Sequence, residues 1–124
     1  MGFKFEKLGI LVAEDTMPMR KLLVSVLETM GVGRIFTASD GGEAYRIFTE
    51  QNPDIVLADW HMTPISGMDL VEKIRKDPKS PNKMVPVIIM SGYTAIARVA
   101  TARDKGVTEF LVKPFTAQDL ALRI

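Results

Sequence analysis

The stretch Pro53-Asp54-Ile55-Val56-Leu57-Ala58-Asp59-Trp60-His61 decides the fold. A short apolar run leaves a proline-bearing turn and stops on a carboxylate. Because the apolar residues are continuous rather than alternating, the strand they form is covered on both faces, as in a parallel sheet between two helix layers. Asp59 then stands at the carboxyl end of that strand, the edge where open α/β sheets bind ligands. Taken alone, Asp59 reads equally well as a residue that caps the following turn.

Working outward, similar runs recur at residues 10–13, 34–38, 85–90 and 110–112, each followed by a helix-start signal. That alternation is the α/β pattern. Pro18 suits the first turn of the first helix, and Met19, Leu22, Leu23, Val26, Leu27 and Met30 fall at helical spacing as one apolar face, which Gly31 and Gly33 end. Asp40 with Glu43 has the spacing of a capping box for a second helix, whose Ala44, Ile47 and Phe48 face inward before Asn52-Pro53 stops it. Ser66 with Asp69 opens a third helix carrying Leu70, Val71 and Ile74. A fourth, over residues 94–105, has only Ile96 and Val99 as sizeable anchors and is expected to be the least firmly packed. Thr116 with Asp119 opens a fifth, which the chain leaves after barely two turns, so that this helix is expected to be truncated. Residues 76–83 are polar and proline-bearing, a connection rather than a domain boundary. Five strand–helix units with right-handed crossovers predict a single domain over residues 1–124. It is a doubly wound five-stranded parallel sheet in the order 2-1-3-4-5, with helices on both faces.

Composition narrows the function classes. With 124 residues, 47% hydrophobic and 25% charged, and a net charge of +1, the chain is an ordinary globular domain with no electrostatic signature of nucleic-acid binding. Cysteine is absent, which excludes disulfides, thiolate metal sites and a cysteine nucleophile, and fits a reducing, cytoplasmic setting. No apolar run approaches the roughly 20 residues needed to span a bilayer. Near the N-terminus, Gly9-Ile10-Leu11-Val12-Ala13 follows Lys4 and Lys7, but Glu14 and Asp15 interrupt it before it could serve as a signal core.

The strand ends carry the chemistry: Glu14-Asp15 after the first, Asp59 after the third, Ser91-Gly92 after the fourth and Lys113-Pro114 after the fifth. All lie on one edge of the predicted sheet. Carboxylates crowded into one pocket repel one another, and a bound cation offsets that repulsion; with oxygen ligands only, Mg²⁺ is the natural occupant, and Mn²⁺ its substitute. A lysine, a hydroxyl and backbone amides beside such a site suit phosphoryl transfer, with Asp59 as the nucleophile that forms an aspartyl phosphate. Each piece has an ordinary reading of its own. The acidic pair could belong to a helix N-terminus, Ser91 to a turn, and Lys113 could be a solvated charge beside a turn proline.

Together, Ile10-Leu11-Val12-Ala13-Glu14-Asp15, Asp59-Trp60-His61-Met62 with Gly67, Val87-Ile88-Ile89-Met90-Ser91-Gly92 and Phe110-Leu111-Val112-Lys113-Pro114-Phe115 resemble the receiver domain of two-component response regulators, the CheY-like variant of the flavodoxin-like fold. The resemblance spans nearly the whole chain. It implies that Asp59 is the phosphoacceptor and that Glu14, Asp15, Asp59 and the backbone carbonyl of His61 hold Mg²⁺. It further implies that Ser91 and Lys113 bind the phosphoryl group, that Ser91 and Phe110 form the switch pair, and that the Lys113-Pro114 bond is cis. The implied partners are a histidine kinase or histidine phosphotransfer protein upstream and an effector protein or fused output domain downstream. The domain itself would bind neither nucleic acid nor membrane, would be a monomer or a weak phosphorylation-dependent dimer, and would catalyse nothing beyond its own phosphorylation and dephosphorylation. Three positions depart from the family pattern: Thr63 stands where proline is usual, with Pro64 following, Ser91 replaces the commoner threonine, and Glu14 stands where many members have aspartate. His61 and Tyr93 are expected to border the site and screen the phosphoryl group from water, with Trp60 partly exposed beside the acceptor.

Two other classes compete. A phosphohydrolase of the haloacid-dehalogenase type would use Asp59, Thr63, Ser91 and Lys113 in similar roles. It needs a general-acid aspartate two positions after the nucleophile, where His61 stands, and carries its nucleophile on the first strand. A flavodoxin would need a phosphate cradle rich in Ser, Thr and Gly after the first strand, where this chain is acidic.

Overall fold

A computed structural model describes the backbone at residues 5–92 and 96–124, and side chains there except at residues 96–98. Its elements follow the order η1 (Phe5–Lys7), β1 (Gly9–Ala13), α1 (Met17–Met30), β2 (Arg34–Ala38), α2 (Gly41–Gln51), β3 (Ile55–Asp59), α3 (Gly67–Lys76), β4 (Val87–Ser91), α4 (Ile96–Asp104), β5 (Glu109–Val112) and α5 (Ala117–Arg123). The strands form one parallel sheet in the order β2-β1-β3-β4-β5. Every residue of β1, β3 and β4 is buried, as their unbroken apolar runs require. The two sheet faces feed separate cores. Leu11, Val56 and Ile89 pack with Phe48, Leu70 and Ile74 of α2 and α3, whereas Val12, Leu57 and Met90 pack with Leu23, Leu27 and Leu120 of α1 and α5.

The helix starts follow from local chemistry. Ser66 Oγ accepts from the Asp69 N–H at 3.1 Å, and at Thr116 both halves of a capping box form with Asp119. At Asp40 only one half forms. Its carboxylate accepts from the Glu43 N–H, while the Glu43 carboxylate turns to the N–H and hydroxyl of Ser39. α2 stops at Asn52, which adopts the left-handed conformation with φ 46°.

Three details differ from the pattern reading. Leu22 is 56% exposed, because at 3.6 residues per turn it lies about 100° behind the buried Leu23–Leu27 line, too far round to reach the sheet. β4 starts at Val87 rather than Val85, since Pro86 has no N–H to enter the ladder, although Val85 is itself buried. Of α4, Ala102 is buried, Val99 half-buried and Ala100 exposed. The expected start of this helix at Thr94, the anchor role of Ile96 and the screening role of Tyr93 lie outside the described residues. Among those residues, no helix is long and apolar enough to cross a membrane.

Candidate functional site

At the end of β1 the chain places two acids in contrasting settings. Glu14 is 1% exposed and Asp15 is exposed. The Glu14 N–H continues the ladder to the Ala38 carbonyl at 3.0 Å, and its own carbonyl accepts from Arg20 Nη1 at 2.8 Å. Its Oε2 accepts from both the N–H and the hydroxyl of Thr16 at 3.1 Å. Thr16 is the N-cap residue of α1, but its hydroxyl makes no cap bond to that helix and serves Glu14 instead. Thr16 and Arg20 are therefore site residues that the sequence reading passed over. Thr16 carried a weak signal, a hydroxyl two places after a strand-end acid; Arg20 carried none.

Asp59 ends β3 and is 6% exposed. Its position is set from behind by backbone bonds, from the Trp60 N–H to the Met90 carbonyl at 2.8 Å and from the Gly67 N–H to the Trp60 carbonyl at 3.0 Å. A β-carbon at Gly67 would run into the Asp59 carbonyl, so only glycine lets α3 start this close to the strand end. Asp59 Oδ1 accepts weakly from the His61 N–H at 3.4 Å, which is the capping role its sequence also allowed. Its other oxygen is differently engaged: Lys113 Nζ lies 3.0 Å from Oδ2 and 3.5 Å from Glu14 Oε1. The lysine is delivered there by β5, anchored by its N–H to the Ser91 carbonyl at 2.8 Å, and followed by a cis bond to Pro114. A second cis bond, Thr63-Pro64, lies in the loop where the chain departs from the family pattern.

One carboxylate oxygen from each of Glu14, Asp15 and Asp59 lies within 4.8 Å of the other two. Burial, together with the negative charge of Asp59, raises the Glu14 pKa above the usual carboxylate value despite the Thr16 N–H and Lys113. Burial would by itself lower the Lys113 pKa, but its hydrogen bond to Asp59 and the charges of Asp59 and Glu14 outweigh this and raise it. An electron-rich cluster of hard oxygen donors, with one acid held at an unfavourable ionisation, suits Mg²⁺.

Ser91, fully buried, ends β4 opposite Val112, while Phe110 pairs with Ile89 further back in the same two strands. Phe110 is thus not at a strand end. Its ring stands edge-on to Trp60, with centroids 6.1 Å apart. Trp60 is half-buried and His61 exposed, and both border an opening of about 220 Å³ that includes Asp15, Thr63 and Ser66. The structure therefore gathers carboxylate oxygens of Glu14, Asp15 and Asp59 within 4.8 Å of one another, sets Lys113 against Glu14 and Asp59, places Ser91 on the adjoining strand end, and brings Phe110 against Trp60, the residue after Asp59.

Comparison with known proteins identifies the family of the chain. Residues 10–124 match the family model of the response regulator receiver domain. Chemotaxis protein CheY1 of Helicobacter pylori is 33% identical over 112 residues, 90% of this chain and 89% of that protein. Chemotaxis protein CheY of Pseudomonas aeruginosa is 31% identical over 93% of this chain and 91% of its own. Among solved structures, the receiver domain of the Francisella response regulator 1452 superposes with a TM-score of 0.86 at 28% identity, covering 94% of this chain and 93% of that one. A response regulator receiver domain protein of Clostridium thermocellum does so with 0.83 at 35% identity, over 94% and 90%. The chain belongs to the response regulator receiver domain family.

Proposed function

We propose that Asp59 is a phosphoacceptor and that the domain relays a phosphoryl group from a histidine kinase or a histidine phosphotransfer protein to a change of surface. The observation that carries this is the Lys113 ammonium, held 3.0 Å from Asp59 and 3.5 Å from Glu14, two of the three carboxylates of the cluster. A carboxylate oxygen of Asp59 attacks the phosphorus of the donor, the bond from phosphorus to the donor imidazole breaks, and the imidazole leaves with its electron pair. Lys113 offsets charge on the transferring phosphoryl oxygens. Glu14, Asp15 and Asp59, with the backbone carbonyl of His61, would hold Mg²⁺, or Mn²⁺ in its place, and the bound ion supplies further charge neutralisation there. Ser91 is the hydroxyl on the neighbouring strand that gains a charge-assisted bond to the phosphoryl group.

The readout runs through Phe110, which borders a groove between α4, β5 and α5 that also contains Val99 and Arg123. A downstream effector, a fused output domain or a second copy of the chain would meet this face in the cytoplasm. The haloacid-dehalogenase reading gains nothing from the fold: Asp59 is on the third strand, and the residue two places on is His61, whose N–H bonds Asp59 as a donor. Acetyl phosphate tests the proposal. With Mg²⁺ the protein takes up label, and Asp59→Asn does not; label retained by that variant would refute it.

A further inference from the structure

α3 ends near a cation that has no counter-ion among the described residues. Arg75 is half-buried, and among the described residues no carboxylate pairs with it. Its guanidinium is used as a fork for backbone oxygens. Nε and Nη2 donate to the Gly106 carbonyl at 3.0 and 2.8 Å, and Nη1 donates to the Lys83 carbonyl at 2.8 Å. Nη2 also reaches Thr108 Oγ1 at 3.5 Å, and that hydroxyl accepts from the Val87 N–H at 3.0 Å. One side chain thus ties the end of α3 to the loop before β4 and to the turn between α4 and β5, and through Thr108 it meets the first residue of β4.

Gly106 has a left-handed φ of 98°, and a β-carbon there would lie 3.0–3.3 Å from the Arg75 side chain. The approach therefore depends on glycine twice over. Beside it, Lys105 Nζ pairs with Glu72 Oε2 of α3 at 3.0 Å. The Val107 N–H closes on the Ala102 carbonyl at 3.1 Å, and Ala102 is the buried residue of α4's second half. Earlier in the helix, Val99 is only half-buried and Ala100 is exposed. The Lys105 and Gly106 fastenings to α3 lie directly after the C-terminal end of α4.

We propose that Arg75 is a positioning residue that fastens the C-terminal end of α4 and the entry of β5 to α3, so that α4 responds to the acceptor site by pivoting at Gly106. The pivot rests on the phosphoacceptor reading; the fastening does not. A lysine cannot replace the fork, because an ammonium is a single point of donation where the guanidinium presents several fixed N–H groups.

Two measurements separate these claims. In amide hydrogen exchange without any phosphoryl mimic, Arg75→Lys should speed exchange at Lys105, Gly106, Val107 and Thr108 by about tenfold or more while β1 stays protected. Unchanged exchange at those four amides, in both Arg75→Lys and Arg75→Ala, would overturn the fastening; retained β1 protection shows that the variants fold. With beryllofluoride and Mg²⁺, the parent's amide shifts should be large at residues 99–101 and small at 105–108, and Arg75→Lys should spread them into 105–108. Large parent shifts at 105–108 would overturn the pivot. No parent shift anywhere in α4 would refute the phosphoacceptor reading and the pivot, leaving the exchange result to decide the fastening.

Discussion

Lys113 and Asp59, 54 residues apart in the chain and separated in the sheet by β4, meet with Nζ 3.0 Å from Oδ2. The contact compensates a crowd of negative charge as much as it forms a pair, since the same ammonium is 3.5 Å from Glu14. Removing it should therefore expose the repulsion. Lys113→Met keeps the apolar stem and loses the charge, and should lower stability by about 1–3 kcal/mol in the absence of metal. That is less than for a fully buried pair, because the lysine side chain retains 25% of its exposure. Urea unfolding with chelator and with Mg²⁺ measures it: the deficit should narrow with Mg²⁺, and a variant as stable as the parent in chelator would contradict the charge account.

Glu14 gives a pH dependence of defined sign. Its pKa is raised from the ordinary 4.5, first by burial, so the folded state holds the proton more tightly than the unfolded chain. Its favourable contribution is complete below 4.5 and is lost as pH rises through the raised value. Glu14→Gln, which resembles the protonated form, should gain stability relative to the parent between about pH 4 and about pH 7. Melting temperatures of both proteins in chelator at the two pH values provide the check, and a constant difference would show that Glu14 is not the strained acid.

The start of α3 against the end of β3 predicts that Gly67→Ala is costly at an otherwise unremarkable helix position. The added methyl meets the Asp59 backbone carbonyl, not a side chain that could turn aside. Overpacking of this kind costs about 1–3 kcal/mol. Gly31, with nothing near its missing side chain but a φ of 89°, suffers from backbone strain alone when replaced by alanine. Comparing the two variants by chemical unfolding, and by the rate of acetyl phosphate labelling, should show slowed labelling only for Gly67→Ala. Equal labelling rates would detach Gly67 from acceptor placement.

The proposed switch has a local reporter. Trp60 follows Asp59 and stands edge-on to Phe110, so movement of that ring alters the indole's surroundings. Beryllofluoride with Mg²⁺ should change Trp60 emission in the parent, and Ser91→Ala should lose most of that change while still accepting phosphate from acetyl phosphate. An emission change of equal size in the variant would show that Phe110 does not move through Ser91.

What could be read in advance was whatever depends on one residue's neighbours along the chain. The buried runs around Ile55-Val56-Leu57 and Val87-Ile88-Ile89 announced central parallel strands, and topology then had to bring their carboxyl ends, with Glu14, Asp59, Ser91 and Lys113, to one edge. What escaped depends on register and on long side chains crossing between elements. Phe110, expected to form a switch pair with Ser91, is paired with Ile89 and so lies two residues behind the Ser91–Val112 pair, a register that the local run does not reveal. Arg20 reaches back to the Glu14 carbonyl, and Arg75 reaches across to Gly106; arginines at helical positions look alike in sequence whether they face water or a backbone oxygen. Leu22 has the spacing of the apolar face yet stays exposed, because helical spacing defines a stripe's direction better than its width.

The most direct measurement of the central claim is reductive trapping of the acyl phosphate. After incubation with acetyl phosphate and Mg²⁺, borohydride reduces an aspartyl phosphate to homoserine, and peptide sequencing by mass spectrometry locates it. Homoserine is expected at position 59 alone, absent when chelator replaces Mg²⁺ and strongly diminished in Lys113→Met. Homoserine at another carboxylate, or at position 59 undiminished by chelator, would contradict the assignment of Asp59, Glu14 and Asp15 to one metal-assisted phosphoacceptor site.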